Sequence, residues 1–214
     1  ARLAAGGESR FPGQRGAHCG TLDLPGVNGG VTENAAAELG ATPVGGTLGI
    51  TAAGAVTDSG TLAITGATTI SASGQDITLD EAASTFGTLA LTGANVAVTD
   101  TGAVDLGAST VSGTLGITSA GAVTDSGTLA ITGATTISAS GQDITLDEAA
   151  STFGTLALTG ANVVVTENAA TDLGASTISG TLGITSAGVV TDSGTLAVTG
   201  ATTISASGQD ITLD

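Results

Sequence analysis

No lysine occurs in these 214 residues, and the three arginines stand at positions 2, 10 and 15. Phosphate recognition relies on Lys and Arg to release counterions, so nucleic acid and anionic membrane surfaces are poor partners, and no nucleic-acid binding is expected. Trp, Tyr and Met are missing too, and Phe11, Phe86 and Phe153 are the only aromatic residues. That removes the stacking platforms on which single strands are held. Cys19 stands alone, so there is no internal disulfide and no disulfide scaffold. Three prolines are too few for collagen. Gly, Thr, Ser or Asp interrupts every apolar run well before the roughly 18 residues of a membrane-spanning helix, so no membrane insertion is expected. The opening ARLAAGGESRFPGQRG reads neither as a targeting peptide nor as the start of a packed element.

Glycine, threonine and small aliphatic residues make up the rest. There are 35 glycines, 41% hydrophobic residues and a mean hydropathy of +0.43, which is too apolar for a disordered acidic tail. The net charge is −16. It favours solubility and opposes lateral association through like-charge repulsion.

Repetition is the dominant signal, and a repeat decides the fold. GTLGIT begins at Gly46, Gly113 and Gly180, at one constant spacing, and 46–112 matches 113–179 at 60 of 67 positions. The two copies diverge most around Asp100–Val104. VTENAAAELG at 31–40 answers VTENAATDLG at 165–174, two periods later. The organisation read from this is an irregular lead-in over 1–30, which either covers the first coil through TLDL at Thr21–Leu24 or is unstructured, followed by a repeat region over 31–214. That region divides into a copy's tail (31–45), two full copies (46–112 and 113–179) and a truncated one (180–214).

Within a copy, Gly recurs at 46, 54, 60, 66, 74, 87, 93 and 102, and the intervals carry short alternating runs. Leu48 and Ile50, Leu62 and Ile64, Ile77 and Leu79, Leu89 and Leu91, and Val96 and Val98 each share one side. Period-two alternation bounded by Gly predicts half-buried strands, and no helical stripe persists. A sandwich would bring aromatics and Asn-Gly hairpins. A parallel β-helix needs only a slim core of stacked Leu, Ile and Val. The expected fold is therefore all-β, a β-solenoid of about three coils per 67-residue repeat, grouped as 46–65, 66–86 and 87–112. On that grouping 31–214 makes about eight coils and roughly 40 Å of rod. Surplus residues form an outward loop near Asp100–Gly107, corner glycines supply unusual dihedrals, and any binding face returns once per copy.

The repeated acids are the most suggestive chemistry. Asp76, Asp80, Asp143, Asp147, Asp210 and Asp214 form oxygen-rich ladders of the kind that holds calcium, although the calcium-binding nonapeptide of β-rolls is absent. Paired carboxylates also suit a glycosidase. The repeat region, however, has no His, Lys, Arg, Tyr or Trp to hold a sugar, so no enzyme activity is expected. His18–Cys19 lacks a second His or Cys to complete a metal or nucleophile site. Thr47, Thr51, Thr61 and Thr65 line faces without the tight T-x-T rows of an ice-binding surface. Phe86 and Phe153 read as gap-fillers. No cofactor is expected, calcium remaining the one open option.

GTLAITGATTISASGQDITL at 60–79 and 127–146, its variant at 194–213, and the ANVAVTDTGAVDLGAS-like phrases from Ala94 and Ala161 resemble the large exported repeat proteins of the filamentous haemagglutinin type. These are two-partner-secretion exoproteins with autotransporter relatives. The resemblance covers about 31–214. It implies a right-handed parallel β-helix shaft, secreted or at the bacterial cell surface, acting in adhesion or biofilm formation. The implied partner is a host-cell or matrix component, or the protein itself. A calcium-dependent extracellular matrix or surface-layer component is the alternative, and a polysaccharide-processing β-helix a more distant one.

Overall fold

A computed structural model describes Leu22, Leu24 and residues 26–214. The first twenty residues, including His18–Cys19 and most of the proposed lead-in, lie outside the described residues. Every described strand pairs in parallel, no helix occurs among the described residues, and the chain winds into a β-solenoid of about ten turns. The cause is local: Leu48, Ile50 and their equivalents point into the core while the alternate Gly49 and Thr51 point out. A single coil has no second layer to bury that apolar edge, so each coil covers the next and hydrogen-bonds its backbone to it.

Two sheets form opposite sides of the rod. Side one climbs through Gly29–Glu33, Leu48–Ala52, Thr68–Ser71, Thr88–Gly93, Val104–Leu106, Val123–Asp125, Ile144–Leu146, Val163–Glu167, Leu182–Ser186 and Thr202–Ser205. Side two climbs through Ala37–Leu39, Val56–Asp58, Ile77–Leu79, Val96–Asp100, Leu115–Ser119, Thr135–Ser138, Thr155–Gly160, Thr171–Leu173, Val190–Asp192 and Ile211–Thr212. The three coils expected per copy are there, and a half turn more. Leu48 lies on side one, its repeat equivalent Leu115 on side two, and Leu182 on side one again. Seven steps up side one separate Leu48–Ala52 from Leu182–Ser186, so two copies make seven turns and one copy makes three and a half.

The half turn is made at a six-residue strand. Below it, side one has one strand per turn and side two has two short ones, such as Val56–Asp58 and Leu62–Ile64. Thr88–Gly93 pairs downward with Thr68–Ser71 as one unit. Upward, Thr88 and Leu89 meet Asp105 and Leu106, while Thr92 and Gly93 meet Thr110 and Val111. From there side one is the divided side. Thr155–Gly160 repeats the device on side two. The turn above each is short: Leu89 stacks under Leu106 and Leu156 under Leu173, closer in sequence than the pairs Leu48–Thr68 and Thr68–Leu89 of the turns below.

Two expectations are corrected here. Asp100–Gly107 makes no outward loop: Asp100, Val104 and Leu106 are buried in rungs of the ladder, because the extra residues build half a coil. Within the lead-in, Leu22 bridges Leu39 and Gly26 bridges Val44, so TLDL, through Leu22, lies over the first coil, one of the two alternatives read from the sequence. Corner glycines serve close approach rather than unusual dihedrals. Among the described glycines only Gly74, Gly141 and Gly208 have positive φ. Elsewhere corners stack backbone on backbone: a Cβ at Gly66 would lie 2.5 Å from Gly46 O, and one at Gly87 2.6 Å from Gly66 O.

The core is one column of aliphatic side chains. Leu129 is wholly buried, and Leu129→Ala is expected to cost about 2–5 kcal/mol, read as a lower midpoint in chemical denaturation.

Candidate functional site

Several carboxylates join successive coils of the rod. At the corner before Ile77–Leu79, Asp76 Oδ1 accepts the Asn95 backbone N–H (3.0 Å) and its Nδ2 (2.9 Å), and Asn95 Oδ1 accepts from Thr114 N and Oγ1. Asp143, Asn162 and Thr181 repeat this ladder on the opposite side. Asp58 sits below Asp80 and Glu81 and accepts both backbone N–H groups; Asp125 does the same for Asp147 and Glu148, and Asp192 for Asp214. Burial raises the Asp58 and Asp125 carboxyls above the usual range, and these N–H donors pull them back. Asp105 takes hydroxyls from the coils on both sides, Thr88 at 2.8 Å and Ser126 at 2.7 Å.

Of the calcium candidates, Asp76, Asp80, Asp143, Asp147, Asp210 and Asp214 are all exposed. Asp76 and Asp80 flank one strand, as their parity requires, with Thr78 between them. Among the described residues no three acids, histidines or cysteines converge as a metal would need. Asp76 and Asp143 accept donors from the next coil, and Asp80, Asp147 and Asp214 are tied to the coil below through their backbone N–H groups. The coils are joined without a cation, so the melting temperature is expected to be the same in calcium and in EDTA. A drop of ten degrees or more in EDTA would give calcium a structural role.

The sequence reading missed a set of inward acids. Glu33, Asp100 and Glu167 occupy one repeat position and are buried. Asp100 Oδ2 accepts Phe86 N–H at 2.9 Å, and its Oδ1 takes Gly102 N–H. Glu167 Oε1 accepts Phe153 N–H at 2.8 Å. These bonds tie the loop before each six-residue strand to the coil above, which is also where Phe86 and Phe153 pack as gap-fillers. Burial raises the Asp100 carboxyl and pushes that of Glu167 up to about 7, against the pull of the Phe153 N–H. Glu167 Oε2 and Thr171 Oγ1 are both buried without a bonding partner. A proton on the carboxyl answers that defect.

Away from these acids, a groove of about 480 Å³ runs along side one, lined by Asn28, Thr32, Thr47, Thr51, Thr69 and Ser71 over a glycine floor. It has no charged lining. No described helix is long and apolar enough to cross a membrane.

A repeat of this period matches one family model, described as repeats of unknown function (DUF5649), over 26–92, 93–159 and 160–214. The chain belongs to this family. Each DUF5649 repeat matched here begins at the glycine that closes a switching strand or its counterpart: Gly26, Gly93 and Gly160. One DUF5649 repeat is therefore three and a half turns of solenoid, and neighbouring repeats are related by a half turn about the rod. No curated protein and no solved structure is similar to the chain.

Proposed function

We propose that this chain is a length of structural shaft from a secreted or surface-exposed bacterial exoprotein of the filamentous haemagglutinin type. It acts in adhesion by presenting a repeated, weakly binding surface to a host-cell or matrix component, or to other copies of itself. The observation that carries the reading is the unbroken parallel ladder from Leu22 to Thr212, in which every coil is built to support the next. Its acids are engaged as struts between coils, which favours scaffold over chemistry, and the reading assigns it no reaction. Contacts too weak alone would sum along such a rod.

The half turn changes how they sum. A given surface group returns to the same side only once in two copies, about 34 Å along the axis at the usual strand spacing, and not once per copy. The test is retention of beads coated with this chain on cultured epithelial cells and on extracellular matrix, against beads carrying two further repeats. Retention rising more than in proportion to repeat number is expected. Retention no greater than that of uncoated beads on both surfaces would end the adhesive reading.

A further inference from the structure

Exposed and half-buried acids are banded along the rod, and the bands on the two sides are out of phase. On side one, the strands from Gly29–Glu33 to Thr88–Gly93 show no exposed acid; their outward groups include Thr32, Thr51, Ser71 and Thr92, stacked in register. The next stretch of the same side carries Asp105, Asp143, Asp147 and Glu148, and the stretch from Val163–Glu167 upward is again without exposed acid. Side two reads the reverse. Glu38, Asp58, Asp76, Asp80 and Glu81 lie low, a hydroxyl band with Thr99, Thr118, Ser138 and Thr159 follows, and Asp172, Asp192, Asp210 and Asp214 lie high. This follows from the half turn: acids sit on the divided side of each copy, and the divided side alternates.

We infer that the rods associate side by side, parallel and without axial stagger, the partner being a second copy of this chain. Moving a copy sideways sets side one of one rod against side two of the next, and every acidic band then meets a hydroxyl band. A stagger of half the side period, about 17 Å, would set acid against acid. With no Lys anywhere and no Arg beyond Arg15, hydroxyls and amides are the donors the repeat region offers a carboxylate. The rod already uses that bond internally, Thr155 and Ser193 donating to Asp172 at 2.8 Å each, and hydrogen bonds to an ionised acceptor are the stronger kind. The net charge of −16 opposes random association, while its banding permits this one alignment. A strip about 48 Å long and 10 Å wide buries on the order of 1,000 Å² over both partners, at the weak end of specific interfaces. Association is therefore concentration-dependent. Each rod keeps the complementary side exposed, so the contact propagates into a raft instead of closing.

The inference rests on the shaft reading, and its test uses the protein in solution with no cell or matrix present. Sedimentation velocity and small-angle scattering of the whole chain, from micromolar to millimolar, are expected to show growth in mass together with a larger cross-sectional radius. Placing an acid in each hydroxyl band (Thr51→Asp, Thr118→Asp and Thr185→Asp together) is expected to leave a monomer, while the same three positions changed to Asn still associate. Should the Asp variant fail to fold, scattering from the unaltered chain decides alone. A monomer at millimolar concentration, or growth in length at constant cross-section, overturns the inference. A chain that stays monomeric yet holds beads to cells keeps the adhesive reading and loses this one; rafts without adhesion do the opposite.

Discussion

The rod becomes more stable as the medium is acidified from neutrality, and Glu167→Gln abolishes most of that gain. In the folded protein the Glu167 carboxyl titrates at about 7, against an ordinary value of 4.5. The folded state thus holds this proton more tightly than the unfolded chain does. By linkage the stabilisation is complete below about 4.5, is lost as pH rises to about 7, and changes no further above that. Asp58, Asp100 and Asp125 are displaced in the same direction and add to the slope at its acid end. A shift of this size is on the order of 2 kcal/mol after allowance for solvent, or about 5 °C in melting temperature for a chain of this length. Glutamine fills the same space uncharged. Its carbonyl accepts the Phe153 N–H, and its amide gives Thr171 Oγ1 the partner it lacks. Melting curves across this range are expected to show a falling midpoint for the natural chain and a nearly flat, higher one near pH 8 for the variant. An unchanged slope in the variant would remove Glu167 as its origin.

The second large effect is expected at a corner. A methyl group at Gly133 would lie 2.5 Å from Gly113 O, inside the coil below, whereas one at Gly116 would meet nothing closer than Val96 O at 3.8 Å. Neither residue has positive φ, so the pair isolates close approach from backbone strain. Gly133→Ala has to push two coils apart and is expected to cost about 3 kcal/mol or more, beyond ordinary overpacking because the obstruction is main chain. Gly116→Ala is expected to be neutral or slightly stabilising, through a less flexible unfolded chain. Equal losses in urea for the two would refute the stacking explanation of the glycine beat.

Strand positions and inward residues were legible in the sequence because alternation is a local property: Leu62 and Ile64, or Ile77 and Leu79, declare their side within three residues. The half turn was not. Sequence identity between copies says that residues share an environment, and opposite sides of this rod offer the same environment. Only the pairing of Thr88–Gly93 with two strands above it shows that equivalent residues fall on opposite sides. The buried acids did leave a signal. Asp100 shares parity with Val96 and Val98, and Glu167 with Val163 and Val165; what hid them was the expectation that charge faces water. The exposed acids were legible as ladders. Their hydrogen-bond partners were not, because Asn95 reaches Asp76 from the next coil and Thr114 reaches Asn95 from the coil after that.

Paired spin labels test the central claim most directly. With Cys19 replaced by Ser, labels go at Thr51 and Thr118, and separately at Thr51 and Thr185. The account places the second pair on one side, about 34 Å apart along the axis, and the first pair on opposite sides, separated by about 17 Å of rise together with at least the roughly 10 Å between facing sheets. A rod of three whole turns per repeat would instead put all three positions in one column, with separations of about 14 and 29 Å; those distances would contradict it.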